Sequence, residues 1–152
     1  VVKGDVASHL SAMTMVLTYP GVPSIFAGDE IGLEGSWGED GRRTINWEDR
    51  SQWDHSFMDE VRQLISIRKS NDALVNGGLR WIAAEKDFIL YLRESKKQSI
   101  LVFVSRQGVN TKIDLSTLGL KVTKTLYGNT ASGSKFTVKS KTAVQAIWEV
   151  TR

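Results

Sequence analysis

The chain has 152 residues, 41% hydrophobic and 24% charged, which is typical of about one globular domain with a buried core. Its 20 basic and 17 acidic residues give a formal net charge of +3, too balanced to indicate an electrostatic nucleic-acid surface. The absence of cysteine excludes disulfides, thiolate metal sites and a cysteine nucleophile.

The sequence also gives expectations about partners, location and completeness. No apolar run approaches the roughly 18 residues that span a bilayer, and no signal-like segment is present. We therefore expect neither a membrane nor a nucleic-acid partner, and the lack of cysteine suits a cytoplasmic location. The sequence begins at Val1, without Met and directly before a helix, so we expect it to be a piece of a longer polypeptide.

Helical periodicity begins the chain. Asp5 is a candidate N-cap for a helix whose apolar residues are spaced three and four apart: Val6, Leu10, Met13 and Leu17. Pro20-Gly21 ends that helix. The apolar run at residues 23–28 then predicts a short strand buried on both faces, as in a parallel sheet.

A long loop separates this run from a second helix. Ser51 or Asp54 is expected to cap the helix, and its inward face carries Phe57, Val61, Leu64, Ile65 and Arg68. One short turn at residues 73–75 precedes Gly77-Gly78, where the helical pattern stops.

From Leu79 onward, short β-rich runs alternate with turn clusters. The runs cover residues 79–84, 88–94, 99–105, 111–115, 121–127, 135–140 and 143–150. Six or seven strands at this spacing predict an antiparallel sandwich. Its core is expected to contain the aromatic residues Trp81, Phe88, Tyr91, Phe103 and Trp148.

Three segments of the helical half carry motifs of a known enzyme family. YPGVPSIFAGDEIG (19–32) has Pro-Gly-x-Pro before the strand and Gly-Asp-Glu after it. GEDGRRTINW (38–47) contains Arg-Thr-x-x-Trp, and residues 57–82 contain Ile-x-x-Arg-Lys followed by x-Ala-Leu. The chain resembles the C-terminal part of the α-amylase family of glycosidases (glycoside hydrolase family 13), in particular bacterial α-glucosidases, cyclomaltodextrinases and neopullulanases.

The resemblance implies an α+β fold made of the last βα unit of a (β/α)8 barrel followed by an antiparallel β-sandwich. Residues 1–78 would form the end of the catalytic barrel, with a helix, the eighth strand, a long loop and the final helix. Residues 79–152 would form an all-β C-terminal domain. The parent enzyme would act on an α-linked glucan or oligosaccharide, cleaving or transferring glucosyl units with retention.

The catalytic carboxylates of this family follow barrel strands four, five and seven, and none of their motifs occurs here. Neither His9 nor His55 stands in an Asn-His-Asp motif. Asp29 and Glu30 are adjacent on an extended segment, so they point to opposite sides and are poorly placed to flank one bond. We therefore expect no catalytic residue and an inactive isolated chain, with Asp29 and Glu30 fastening the barrel rim and Arg42 among their partners.

The long loop supplies the predicted substrate-binding residues. In barrels of this kind the active site lies at the C-terminal ends of the strands, where this loop belongs. Arg43 matches the family's Arg in Arg-Thr-x-x-Trp and can fork onto hydroxyls or a carboxylate. Trp37 and Trp47 can stack on pyranose rings; the alternative is that they only anchor the loop to the barrel.

Several other interpretations are open at this point. Glu39, Asp40 and Asp49 suggest calcium, but their spacing matches no EF-hand loop, so we expect no metal and no cofactor. The chain could instead be a non-catalytic β-sandwich module that binds carbohydrate or stabilises its neighbour. It could also be a small self-contained enzyme using Asp29, Glu30 and Asp40. The helical half must pack on its own β-domain or on a second copy, which predicts self-association.

Overall fold

The computed structural model describes residues 5–35, 37–38, 40 and 44–152. Three residues named in the sequence predictions, Glu39, Arg42 and Arg43, lie outside the described residues.

The first helix, α1, spans Val6–Thr18 and begins and ends where the sequence predicts. The Asp5 side chain caps it by accepting a hydrogen bond from a backbone amide of the first turn, at 3.2 Å. Met13 and Leu17 are buried on its inner face. Val6 is exposed, so the buried face is shorter than the sequence pattern suggests.

The apolar run predicted as the eighth barrel strand forms no strand, and that prediction is wrong. Residues 22–26 carry no regular secondary structure. Val22 is 96% exposed and Phe26 59% exposed, so burial on both faces is also absent. A parallel strand is held by neighbouring strands, and no strand of the described chain pairs with this segment. The segment leads into a single 3-10 turn, η1, at Asp29–Ile31.

The second long helix, α2, spans His55–Ser70. Asp54, rather than Ser51, is its cap, because the Asp54 carboxylate accepts the amide of Phe57 at 2.9 Å. Its buried residues are Phe57, Val61, Leu64 and Arg68. A short helix, α3, follows at Asp72–Asn76, over the predicted turn. Within the described part of the chain, no helix is long and apolar enough to cross a membrane.

Seven strands follow, each near a predicted position. They are β1 (Gly78–Ala84), β2 (Phe88–Glu94), β3 (Ser99–Ser105), β4 (Val109–Asp114), β5 (Lys121–Gly128), β6 (Lys135–Ser140) and β7 (Gln145–Thr151). An antiparallel sheet has the order β1-β2-β3-β7-β5, and β4 and β6 form a separate two-stranded sheet. The predicted antiparallel sandwich is confirmed.

The five-stranded sheet has a hydrophobic core on each face. In β3, Ile100 and Val102 face the core shared with the helices, whereas Leu101 and Phe103 face the core shared with the small sheet. All four are fully buried. Because both faces are covered, β3 is a continuous apolar run without polar alternation. The helices therefore pack on the chain's own sheet, and the division into domains at residues 78 and 79 stays a prediction.

The aromatic residues do not all share the predicted sandwich core. Trp148 and Phe103 lie between the two sheets, but Tyr91 is buried on the helix-facing side. Trp81 is 47% exposed, so its assignment to the core is wrong. It lies in β1, an edge strand with a register shift after Trp81, so only β2 flanks it, and Tyr91 of β2 contacts one side of the ring.

Candidate functional site

A tight turn at residues 28–32, called the rim turn below, follows the unpaired segment. Gly28 has φ 104°, and a Cβ there would lie 2.8 Å from the Leu33 side chain, so the turn requires glycine. The Glu30 carboxylate folds back and accepts the amide of Gly28 at 2.8 Å. Glu30 is thus engaged in the hydrogen bonding of its own turn.

Asp29 has a different partner from Glu30. Its Oδ1 lies 4.0 Å from Nε2 of His9 in α1, at ion-pair distance when the imidazole is protonated. The His9 ring stacks on Phe57 of α2, with 4.4 Å between ring centroids. Asp29 therefore joins the rim turn to the layer formed by the two long helices.

The rim turn is also tied to the end of the long loop. The amide of Asp54 donates to the carbonyl oxygen of Ile31 at 2.9 Å, while the Asp54 carboxylate caps α2. A Cβ at Gly32 would lie 3.2 Å from Cβ of Asp54, so the two segments pass close together. Asp54 connects the rim turn, the loop and α2.

The loop just before α2 is shaped by short-range hydrogen bonds. The Asn46 side chain accepts the amides of Glu48 and Asp49, at 3.1 and 3.0 Å. The Asp49 carboxylate accepts the amide of Ser51 at 2.9 Å, and this hydrogen bond lowers the pKa of Asp49. These bonds fix the backbone on both sides of Trp47.

Two tryptophans of the loop present accessible rings. Trp47 is 62% exposed and meets Trp53 edge-on, with 5.4 Å between ring centroids. The Arg50 guanidinium lies 5.0 Å from the Trp53 ring centroid, in a cation-π contact. Trp37 is 65% exposed. Trp47 thus has a supported ring with most of its surface free.

The structure brings together only some of the predicted site residues. Asp29 and Glu30 share the rim turn, and the turn contacts the loop that carries Trp47. Arg42 and Arg43 lie outside the described residues, as does Glu39, one of the three carboxylates that were considered for calcium and not expected to bind it. Within residues 5–35, 37–38, 40 and 44–152, no group of three His, Cys, Asp or Glu residues could hold a metal ion.

No family model matches the chain. A cyclomaltodextrinase from Thermoanaerobacter pseudethanolicus is 32% identical over 114 residues, which cover 75% of this chain and 20% of that protein. Neopullulanase 2 from Thermoactinomyces vulgaris is 30% identical over 75% of this chain and 22% of its own length. The debranching enzyme from Nostoc punctiforme superposes with a TM-score of 0.78 and 26% identity, over 97% of this chain and 32% of that one.

The chain is homologous to the C-terminal region of α-amylase-family glycosidases. The chain spans only about a fifth of the length of these two relatives: 20% of the cyclomaltodextrinase and 22% of the neopullulanase. The resemblance identified from the sequence motifs is confirmed.

Three residues that support this part of the structure were not identified from the sequence: Arg50, Trp53 and Arg93. Trp53 and Arg50 support Trp47 through the local conformation of a loop, which no periodicity encodes. Arg93 is fully buried on the helix-facing side of β2. A signal for Arg93 was available, because it lies two residues after Tyr91 and so shares its face of the strand.

Proposed function

We propose that the chain is the C-terminal part of a retaining α-glucan glycosidase and walls one side of its substrate pocket. The observation that carries the proposal is the 32% identity to a cyclomaltodextrinase over 75% of the chain. In (β/α)8 barrels the active site lies at the C-terminal ends of the strands, where the rim turn and the loop would stand. The whole protein would cleave or transfer α-linked glucosyl units.

In this proposal the catalytic carboxylates lie outside the chain. A retaining mechanism needs two carboxyl groups about 5 Å apart, flanking one glycosidic bond. Glu30 is folded onto the amide of Gly28, and Asp29 faces His9, so each carboxylate has its own local partner. These contacts support a structural role for both residues at the rim, with Arg42 as the third member.

The substrate-binding side chains in this proposal are Trp47, Trp37 and Arg43. Stacking on a sugar requires an accessible ring, and the exposure of Trp47 and Trp37 meets that requirement. The contact of Trp47 with Trp53 supports a fixed ring orientation. Arg43 is included because it matches the family's Arg-Thr-x-x-Trp motif.

NMR titration with maltoheptaose tests this assignment. The chain has five tryptophans, whose indole N–H signals report on the long loop, on β1 and on the core between the sheets. The signals of Trp47 and Trp37 should move saturably, and that of Trp148, fully buried between the sheets, should stay in place. Trp47→Ala should weaken binding about tenfold, which is roughly 1.4 kcal/mol, and Trp81→Ala is the matched control. No movement at Trp47 and Trp37 would contradict the assignment.

A carbohydrate-binding β-sandwich module is the second candidate, and one observation favours it. An open cleft of about 640 Å³ lies between the β1–β2 end of the large sheet and β4, and Phe88 and Asn110 line it. Most aromatic side chains of the β half are buried, however, which favours a stabilising role over sugar stacking. In the same titration, movement of the amide signals of residues 108–114 would support the module.

We also propose that the isolated chain self-associates. Exposed apolar side chains follow the end of α1 and the unpaired segment: Val16, Tyr19, Val22 and Phe26. Large apolar side chains exposed together are typical of interaction surfaces. A second copy would cover them in the absence of the rest of a barrel.

A further inference from the structure

Two arginines from different elements converge on the C-terminal end of α1. Arg68 of α2 is buried and donates to three carbonyl oxygens. The acceptors are Leu17 at 2.8 Å, Tyr19 at 3.1 Å and Gly21 at 2.6 Å. One guanidinium therefore holds the last turn of the helix and the Pro-Gly turn after it.

Arg93 of β2 reaches the same place from the sheet. It is fully buried and donates to the carbonyl oxygens of Thr18, Gly77 and Gly78, the last two at 2.7 and 3.2 Å. Arg93 thus links the end of α1 to the junction between α3 and β1. We call Arg68 and Arg93 together the arginine clamp.

The clamp is bound by carbonyl groups rather than by carboxylates. Among the described residues, no Asp or Glu lies at ion-pair distance from either guanidinium. The last carbonyls of a helix carry partial negative charge, which suits two cations at this end of α1. Burial lowers the pKa of both arginines, and the charge of Arg68 lowers that of Arg93 further. Two buried like charges are tolerated only where many acceptors are in place.

The clamp fixes the start of the segment at residues 22–25. No hydrogen bond within the described part of the chain involves the backbone of residues 22–25. Within the segment, the partly buried Ile25 packs against the core shared with the helices. The path of the segment is therefore set by Ile25 and by its two ends, at Gly21 and at the rim turn. The rim turn in turn bonds to Asp54, at the end of the loop that carries Trp47.

We propose that Arg68 and Arg93 are positioning residues, which hold the rim turn and the Trp47 loop in register with the β-sheet. The consequence of this positioning for sugar binding rests on the proposed function. The β half then acts on the substrate wall through the clamp, without touching a sugar itself.

Hydrogen exchange on Arg68→Lys tests the proposal. Lysine keeps the positive charge, but a single ammonium cannot reach all three carbonyl oxygens in the geometry of a guanidinium fork. The hydrogen-bonded amides of the rim turn, of Leu33 and of Asp54 should exchange about tenfold faster or more, whereas those of β3 and β7 should stay within about twofold of the unsubstituted chain. Arg62→Lys is the matched control, because Arg62 is an exposed arginine of the same helix that contacts Asp59. Arg93→Lys should reproduce the pattern of Arg68→Lys.

Two outcomes would overturn the proposal that Arg68 and Arg93 position the rim turn. Equal acceleration in β3, in β7 and in the hydrogen-bonded amides of the rim turn would show a purely structural contribution to global stability. Unchanged exchange of the rim-turn amides would show no positioning. Maltoheptaose affinity gives an independent readout, which should fall about fivefold in Arg68→Lys with Trp47 intact. If the unsubstituted chain does not bind maltoheptaose, the proposed function fails. The exchange pattern still shows whether Arg68 and Arg93 position the rim turn.

Discussion

Tyr91 shows how one side chain joins the helices to the sheet. It is fully buried, its hydroxyl lies 2.6 Å from Oγ1 of Thr18 in α1, and its ring contacts Trp81 edge-on. Burial is the main cause that raises the pKa of Tyr91 to about 12. The folded chain therefore favours the protonated phenol more strongly than the unfolded chain does.

The raised pKa of Tyr91 predicts a loss of stability in alkali. Below about pH 10 the phenol is protonated in both states, so its contribution is constant. Between pH 10 and about 12 the unfolded chain loses this proton first, and the free energy of unfolding falls. At pH 11 the loss from this group is about 1 kcal/mol, measurable by urea denaturation between pH 8 and 11.

Tyr91→Phe is the variant that checks this pH dependence. It should remove part of the alkaline fall, although the hydrogen bond to Thr18 is also lost at every pH. Tyr127, whose pKa is also raised, chiefly by burial and then by its hydrogen bond with Glu60, remains in the variant and accounts for a residual slope. Parallel pH profiles of the two proteins would contradict the prediction.

At the scale of elements, the start of α2 depends on one cap. Asp54→Ala removes the acceptor for the amide of Phe57 and should lower the free energy of unfolding by about 1 kcal/mol. Ser51→Ala is the control, because the sequence allows either residue as cap and the structure uses only Asp54. Equal losses in the two variants, measured by urea denaturation, would contradict the assigned cap.

β3 carries a second prediction at this scale. Ile100 faces the helices and Leu101 faces the small sheet, and both are fully buried. Ile100→Ala and Leu101→Ala should therefore each cost roughly 2–5 kcal/mol of unfolding free energy. If the helices did not pack on the sheet, Ile100 would face water and Ile100→Ala would be nearly neutral, which distinguishes the two arrangements.

The elements that could be predicted from the sequence are those with local causes. The cap at Asp5, the Pro-Gly end of α1 and the strand positions follow from side chains within a few residues. The run at residues 23–28 has the composition of a buried strand, but pairing requires a neighbouring strand, which a local pattern does not reveal. Trp81 has the alternation of a core residue, yet its exposure depends on β1 being an edge strand.

Only those residues of the candidate site that belong to a family motif could be predicted from the sequence. The sequence placed Asp29, Glu30 and Trp47 near one rim, and the structure joins the rim turn to the loop through Ile31 and Asp54. Arg68 was predicted on the inward face of α2, and Arg93 shares the face of Tyr91 in β2. That the two meet at the end of α1 could not be predicted, because they are far apart in sequence and come together only when the helices pack on the sheet.

At the scale of the whole molecule, exposed apolar residues predict association. Phe26→Ser and Val22→Ser should shift the isolated chain toward monomer, because they remove apolar surface that a second copy would cover. Light scattering across a range of concentrations measures the change, and Val75→Ser, at an exposed position of α3, is the control. A clean monomer at high concentration for the unsubstituted chain would contradict self-association.

In the proposed function, this chain supplies a wall of the sugar site but not the catalytic carboxylates. The most direct test is hydrolysis of a chromogenic α-glucoside by the purified chain. The rate should be no higher than that of buffer alone. Hydrolysis by the chain that Asp29→Asn abolishes would contradict it and would restore the small self-contained enzyme as the function.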